Sequence, residues 1–410
     1  MAPAEKDQTY VRKGFGLRTE VQDLLAADYS GHLVDLLLAR DYTLAAGDVT
    51  IRLAREFGFC YGVDRAVDYA YQTRAKFPDR RIYLVGEIIH NPHVNTRLLD
   101  MGVRFLLPTT LADGQTGFDF SDIGADDVVI IPAFGVTIAD FQTLRALGCV
   151  LVDTTCGSVL NVWKRVDGYA RDGFTALIHG KHYHEETRAT ASQVERHPGG
   201  KYIVVRDMAE ARIVCDYIEG RRDRDAFLAK FAQAASPGFD PDRDLVRLGV
   251  ANQTTMLARE SLAIAEEVGK AFERANGEAY RREHFRTFDT ICSATQDRQD
   301  AIIDLLEEPL DAMLVIGGYN SSNTMSLTAL CAEKVPAYHV EDSRCIDPER
   351  GTIRHKPVGG AGEVLTEGWL ARPGPIRVGV TAGASTPNNK IGEAVALILA
   401  TRGIEVAAVA

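Results

Sequence analysis

The sequence lacks the marks of several large protein classes. It has no uninterrupted apolar run long enough to cross a bilayer, which argues against a membrane-spanning helix. Its start, Met1-Ala2-Pro3-Ala4-Glu5-Lys6-Asp7, has no secretory apolar core, and its acidic residues argue against a transit peptide. The expected location is therefore cytoplasmic, with no membrane partner. There is no surplus of basic charge: Lys and Arg number 46 against 57 Asp and Glu, a net charge of −11. That balance argues against nucleic acid as the main partner, though it leaves room for a local basic patch. The seven cysteines include no Cys-x-x-Cys pair, so a zinc ribbon or thioredoxin motif is absent. An odd count in a cytoplasmic chain also argues against a disulfide framework. Any cysteine metal site must be assembled from distant parts of the chain. No complete glycine-rich dinucleotide fingerprint is present either. Gly58-Phe59-Cys60-Tyr61-Gly62 lacks its third glycine, and Gly379 to Gly383 lacks the full spacing. Electrons for any redox chemistry would have to arrive from outside.

What is present is an alternating α/β grammar over 410 residues, a length that suits two or three domains. Hydrophobic residues make up 46% and charged residues 25%, ordinary for a globular chain. Residues 1–48 read as an N-terminal extension with helical character at Val21–Leu25 and Leu33–Leu38, closed by Gly47-Asp48. Then Val49 to Leu53 alternates like a strand and leads toward Cys60. A helix-like run follows to about Lys76. Ile82–Val85 is a second strand, ending in Gly86-Glu87-Ile88-Ile89-His90-Asn91-Pro92-His93. Val128–Ile131 is another, ending in Pro132-Ala133-Phe134-Gly135.

The same order then recurs. Cys149–Val152 leads through Asp153-Thr154-Thr155 to Cys156. Phe174–Ile178 ends in His179-Gly180-Lys181-His182-Tyr183-His184-Glu185-Glu186-Thr187, and Tyr202–Val205 follows. Arg221 to Asp244 reads as an inserted helix and loop, and Val246–Val250 closes the unit at Asn252-Gln253-Thr254-Thr255. In a third pass, Thr287–Ile291 leads to Cys292. Ala312–Ile316 ends in Gly317-Gly318-Tyr319-Asn320-Ser321-Ser322-Asn323, and Val335–Val340 follows. Residues 346–374 look like a surface excursion, and Ile376–Val380 ends at Ser385. The separations Cys60 to His90, Cys156 to His184 and Cys292 to Asn323 are each about thirty residues, a matching offset within each pass of a threefold internal repeat. The reading gives domains at 49–147, 148–285 and 286–387, with a C-terminal helix and tail at 388–410. Alternating strands and helices imply parallel sheets, and ligands of such sheets bind beyond the carboxyl ends of the strands. Three units packed about a common centre would bring all the singled-out residues together.

Cys60, Cys156 and Cys292 are the equivalent cysteines of the three passes. One such cysteine alone would be read as a buried structural residue. Three in matching positions suit a soft metal: zinc with a further ligand, or a cubane iron–sulfur cluster with one iron left open. Cys149, Cys215, Cys331 and Cys345 lie outside the shared position and read as structural. His90, His184, Thr254, Ser321, Ser322, Asn323 and Ser385 form a polar set suited to a small anion such as a diphosphate. Asn320 to Asn323, taken alone, reads as a turn with a helix cap. His93, His179 and His182 are weaker candidates. Glu186 suits a proton donor, against the plainer reading of a solvated helix-start glutamate, and Glu185 competes on spacing.

Taken together, the stretches around Cys60, His90, Cys156, His184, Thr254, Cys292, Asn323 and Ser385 resemble one family, the LytB/IspH-type 4-hydroxy-3-methylbut-2-enyl diphosphate reductases. The likeness runs from about Val49 to about Thr386. The Arg12-Lys13-Gly14-Phe15-Gly16 stretch and His179-Gly180-Lys181 resemble the longer cyanobacterial and plant form. The resemblance implies a pseudo-threefold α/β trefoil around one 4Fe-4S cluster held by Cys60, Cys156 and Cys292. It implies that His90, His184, Ser321, Ser322, Asn323 and Ser385 hold the diphosphate, that Glu186 supplies a proton and that Thr254 orients the substrate alcohol. The products would be isopentenyl and dimethylallyl diphosphate, and the electron donor a ferredoxin or flavodoxin. One departure stands out: many members have Ala-His-Gly-Val where this chain has Ala133-Phe134-Gly135-Val136, so the number of histidines on the diphosphate differs. The longer forms resemble the Phe variant. Two other readings are an open-iron dehydratase resembling quinolinate synthase, and a non-enzymatic iron–sulfur sensor. The Asn-Ser-Ser-Asn and His-Glu-Glu-Thr stretches favour the reductase over the first. No added DNA-binding or signalling module supports the second.

Overall fold

The computed structural model describes residues 9–110, 116–221, 223–288 and 290–408. The readings placed on the first seven residues, on Arg222, on Asp289 and on the last two residues lie outside them. The chain forms two compact units. The first comprises Met1–Arg12, Arg80–Ile88 and Arg104–Cys292; the second comprises Lys13–Asp79, Ile89–Val103 and Ser293–Ala410.

The first unit holds two sheets. One runs in the order Tyr10–Val11, Val150–Asp153, Val128–Ile131, Ile82–Val85, Val103–Leu106. The other runs Tyr202–Val205, Thr175–His179, Leu248–Asn252, Phe285–Thr287, with every pair parallel. The second unit holds the third sheet, ordered Ala337–Val340, Ala312–Ile316, Ile376–Ala382, Val49–Leu53, Thr43–Ala46. Its strands are parallel except for the last, which pairs antiparallel to Val49–Leu53. The α/β class and the parallel sheets are as the alternating pattern implies.

The three sheets share one plan. In each, the strand leading to a predicted ligand cysteine pairs with the strand closing a pass, and that one pairs with the strand ending in the polar group. The phase of the plan differs from the reading, however. Val49–Leu53 pairs with Ile376–Ala382, not with the sheet containing Ile82–Val85. Val150–Asp153 pairs with Val128–Ile131, and Phe285–Thr287 with Leu248–Asn252. Each cysteine-leading strand thus lies in the sheet whose polar group comes from the preceding pass, which for Val49–Leu53 is the third, and not in the sheet of its own pass. A repeat in sequence fixes a period but no starting point, and a short apolar strand does not encode its partner. The strand before Cys292 is also earlier and shorter than the expected Thr287–Ile291: it spans Phe285–Thr287.

Parallel sheets covered on both faces need apolar side chains on both. In the strand Ala312–Ile316, Ala312, Leu314 and Ile316 enter one core with Ile51, Val378 and Val380, while Met313 and Val315 enter another with Ala54, Leu305 and Leu327. Each such buried Leu, Ile or Val contributes roughly 1.5–3 kcal/mol. In the second sheet Gly249 allows the Tyr169 ring to lie against the strand: a Cβ there would stand 2.4 Å from the ring. Tyr169 is buried and its hydroxyl donates to the Val250 carbonyl at 2.8 Å. Residues 346–374, expected as an excursion, are more ordered than that. They form an antiparallel sheet of Ile346–Asp347, Thr352–His355 and Val364–Glu367, and Ile353, Trp369 and Leu370 join the core of the second unit.

Two histidines are buried within the parallel sheets. His179 ends its strand with Nδ1 2.8 Å from Ser261 Oγ, and His339 places Nε2 2.9 Å from the Gly317 carbonyl. Burial pushes both down to about 4, so both are neutral at pH 7. A proton taken up between pH 6.5 and 4 binds the unfolded chain in preference, so stability falls across that window as pH is lowered, by up to ~1.4 kcal/mol per pH unit for each group. Urea midpoints measured from pH 7 to 4.5 should fall, and fall less in His179→Gln; equal slopes for the two proteins would show that His179 does not titrate as a buried neutral group.

Candidate active site

The register of the parallel strands puts the singled-out loops side by side at the carboxyl ends. In the first unit His179 pairs with Asn252, which sets the loop carrying His184 and Glu186 beside the loop carrying Thr254. Gln253 fastens the two: its Oε1 accepts from the Lys181 N–H and the Thr187 hydroxyl, both at 3.1 Å. Its own N–H donates to the His179 carbonyl at 2.8 Å.

His184 is the N-cap of the helix Glu185–Ala191, and its Nδ1 accepts the Glu186 N–H at 3.2 Å. That cap requires a bare Nδ1, so the neutral ring carries its proton on Nε2 and presents a donor there. The Phe134 ring meets His184 edge-on, with centroids 5.6 Å apart. The residue that departs from the frequent family pattern therefore packs against the neighbouring histidine. Glu186 is 1% exposed, and its Oε1 accepts the Thr254 backbone N–H at 2.6 Å. The side chain of Glu185 is 42% exposed. Burial therefore separates two glutamates that spacing could not, and the solvated-glutamate reading fits Glu185 only.

The cysteine turns of this unit are held by the same kind of bond. The Cys156 N–H donates to the Ala133 carbonyl at 3.0 Å. Asp153 Oδ1 accepts the Thr155 N–H at 2.9 Å, and its Oδ2 faces the Tyr10 hydroxyl and the Arg12 guanidinium. Sequence reasoning left the extension without a role; here its first strand adds to Leu151 and Val152 and its side chains meet Asp153. The signal was the Tyr-Val-Arg alternation just before Lys13, too short to read as a strand alone. Next to Cys292, the Thr290 hydroxyl bonds Asn252 Oδ1 and accepts the Asn252 N–H at 3.2 Å.

In the second unit the structure gathers six of the singled-out residues. Ile316 pairs with Ala382, so the loop of Ser321, Ser322 and Asn323 lies beside that of Ser385. Asn323 Oδ1 accepts the Ala384 N–H at 2.9 Å, the Ala384 carbonyl accepts the Cys60 N–H at 3.2 Å, and the Ser385 hydroxyl donates to the His90 carbonyl at 3.2 Å. Ser321 caps the helix Ser322–Ala332 through the Thr324 N–H, as the cap reading of that stretch expects. A Cβ on Gly318 would stand 2.5 Å from the His90 carbonyl oxygen, so only glycine lets the two loops approach. His90, Ser321, Ser322 and Ser385 are all buried. Asn323 is 2% exposed, and its Nδ2 has no hydrogen-bond partner among the described residues. A buried amide donor without an acceptor is costly unless a ligand supplies one.

The seven cysteines, all thiols, fall into two groups. Cys60, Cys156 and Cys292 are partly exposed; the other four are buried. Burial pushes Cys149 up to about 11 and Cys215 and Cys331 up to about 12, which makes them poor thiolates. Cys60 and Cys156 are N-caps of the helices Tyr61–Lys76 and Gly157–Arg171, and Cys292 directly precedes the helix Ser293–Leu305. Neither N-cap thiol bonds its own helix, and a helix start favours negative charge. The three thus fit a soft-metal or iron–sulfur ligand set, and the four do not. Of the weaker histidines, His93 and His179 are pushed down by burial, and His182 lies edge-on to the exposed Tyr183.

The sequence model of the LytB protein family matches residues 51–399. The chain belongs to the LytB family. The 4-hydroxy-3-methylbut-2-enyl diphosphate reductase of Thermosynechococcus vestitus is 48% identical over 97% of this chain and 96% of its own length. The protein of that name from Gloeobacter violaceus is also 48% identical, over 97% of this chain and 94% of its own. A solved structure of (E)-4-hydroxy-3-methyl-but-2-enyl diphosphate reductase, described as the terminal enzyme of the non-mevalonate pathway, is 27% identical. It covers 85% of this chain and 98% of its own, with a TM-score of 0.51. LytB membership favours the reductase reading over the dehydratase and the sensor.

The unpaired Asn323 amide generates a test. Asn323→Asp keeps an acceptor for the Ala384 N–H but replaces the buried donor with a carboxylate. Affinity for inorganic diphosphate, measured by calorimetry, should fall by about 2–3 kcal/mol, with thermal stability little changed. Unaltered diphosphate affinity would remove Asn323 from the anion site.

Proposed function

We propose that this chain reduces 4-hydroxy-3-methylbut-2-enyl diphosphate to isopentenyl diphosphate and dimethylallyl diphosphate, the last step of the methylerythritol phosphate route to isoprenoids. The observation that carries the proposal is the nearly full-length likeness to reductases of that name. The reaction removes a hydroxyl as water and consumes two electrons and two protons. The protein's own residues account for the binding, the orientation and one of the two protons, the other coming from solvent.

The diphosphate is bound by uncharged donors and imidazoles in place of a lysine cluster. Asn323 Nδ2, the hydroxyls of Ser321, Ser322 and Ser385, and the rings of His90 and His184 form this set. Support comes from the unpaired Asn323 amide and from the His184 cap, which leaves Nε2 as a donor. Glu186 is the proton donor. Its carboxyl is fixed through Oε1 by the Thr254 N–H, which also sets the position of the Thr254 hydroxyl that orients the substrate alcohol. Burial at 1% exposure keeps bulk water from taking over the proton transfer.

The family's iron–sulfur group, read here as one 4Fe-4S cluster, is assigned to Cys60, Cys156 and Cys292. When bound, such a cluster with three protein ligands supplies low-potential electrons and a Lewis-acidic iron. Electrons come from an external carrier, which the resemblance to the family makes one of the ferredoxin or flavodoxin class. No helix among the described residues is long and apolar enough to cross a membrane, and a cytoplasmic setting is part of the same proposal.

The direct test is an anaerobic assay with a low-potential artificial reductant and the hydroxy-diphosphate. Glu186→Gln should keep the cluster absorbance while turnover falls at least ~10²-fold; near-normal turnover would move the proton donor elsewhere. Cys156→Ser should lose iron on purification, and a full iron content with an unchanged spectrum would sink the ligand assignment.

A further inference from the structure

Arg298 is a buried cation that the proposed reaction does not use. It lies on the helix Ser293–Leu305 and is 3% exposed. Its Nη1 donates to the Ala294 carbonyl at 2.7 Å. Its Nη2 donates to the Gly58 carbonyl at 2.7 Å and reaches the Phe57 carbonyl at 3.4 Å. Its Nε is buried with no hydrogen-bond partner among the described residues. Every bond it makes goes to a neutral carbonyl, and no carboxylate pairs with it among the described residues. Carbonyl dipoles solvate a guanidinium but do not neutralise it, and buried charges are ordinarily paired.

The carbonyls it holds belong to the turn that ends at Cys60. Gly58 sits there at φ +64°, a conformation side chains rarely adopt, and a Cβ would come within 3.1 Å of the Thr386 carbonyl oxygen. The Cys60 N–H is tied to the Ala384 carbonyl. The turn is therefore fixed by Arg298 before the cysteine and by Ala384 at it. Cys60 follows the Gly58 carbonyl by two residues, and a cysteine that binds metal does so as an anionic thiolate.

We propose that Arg298 is a positioning residue for the iron–sulfur group. Its guanidinium forks between the Ala294 carbonyl of its own helix, through Nη1, and the Gly58 and Phe57 carbonyls, through Nη2, so that the Cys60 thiolate is presented in one geometry, and its charge balances that of the thiolate-bound cluster. The proposal rests on the reading that Cys60 ligates the cluster. A fixed positive charge stabilises the reduced, more negative state, so Arg298 raises the reduction potential of the group beside it. Lysine keeps the charge but cannot form the fork, whereas glutamine loses the charge.

The test is an anaerobic spectroelectrochemical titration of the loaded wild type, R298Q and R298K, with iron content and circular dichroism measured on each. R298Q should be folded and contain iron but show a more negative midpoint potential. R298K should restore the potential while a chelator strips its iron several-fold faster. A wild-type potential in R298Q at full iron content, or an R298K potential as negative as that of R298Q, would overturn the proposal. Should R298Q not fold, R298K decides: a wild-type potential with faster stripping upholds the proposal, and a shifted potential or unchanged stripping overturns it. Absence of iron from the wild type would instead sink the cluster reading itself.

Discussion

The carboxyl ends of the parallel strands impose one constraint on which the site depends. Each strand ends by releasing its chain into a buried turn, and the amides of that turn lose their ladder partners. In this protein the missing partners come from the adjacent turn. Asn323 takes the Ala384 N–H, Glu186 takes the Thr254 N–H, and the Ala133 and Ala384 carbonyls take the N–H groups of Cys156 and Cys60. The residues assigned to chemistry are thus also the ones that satisfy the backbone. This ties Asn323 and Glu186 to the turn beside each of them, and these groups are preorganised.

The same constraint explains what could be read from residues alone. The strands were legible because apolar runs of four or five residues end in glycine and polar clusters. Their partners were not, because Val49–Leu53 would suit either of two sheets by composition. The recurring order of the passes was visible in Cys60, Cys156 and Cys292, and its phase was not. For the site, the cysteines and the anion set were named from spacing and resemblance, and the structure groups Cys60, His90, Ser321, Asn323 and Ser385 within one unit. What spacing could not supply was burial. Glu185 and Glu186 are adjacent in sequence, yet only Glu186 is withdrawn from water and oriented by an amide. Arg298 was passed over because an arginine in a polar helix reads as solvated surface, and only the fold reveals that it points inward.

Phe134 shows how a departure from a frequent pattern is absorbed. An aromatic ring there cannot donate to a phosphate, but it can hold the imidazole beside it. Its edge-on contact with His184, together with the cap from Nδ1 to the Glu186 N–H, restricts that ring from two sides. Fewer donors held more rigidly can bind an anion as well as more donors that must first be ordered, because the entropy of fixing a side chain has already been lost on folding.

The N-terminal extension also governs what the chain does not do. Parallel sheets present a row of bare N–H and C=O groups along each outermost strand, and any extended peptide can pair there. Tyr10–Val11 covers the flank of Val150–Asp153, and Thr43–Ala46 covers that of Val49–Leu53. The corresponding strand of the second sheet, Phe285–Thr287, is only three residues long and carries Arg286, whose guanidinium meets Asp172 and stacks on Phe174. Two flanks are sealed by strand addition from within and one is guarded by brevity and charge. The extension thus pairs the outer flanks of the strands that lead to Cys60 and Cys156 and moves the edge of each sheet to a strand of two or four residues.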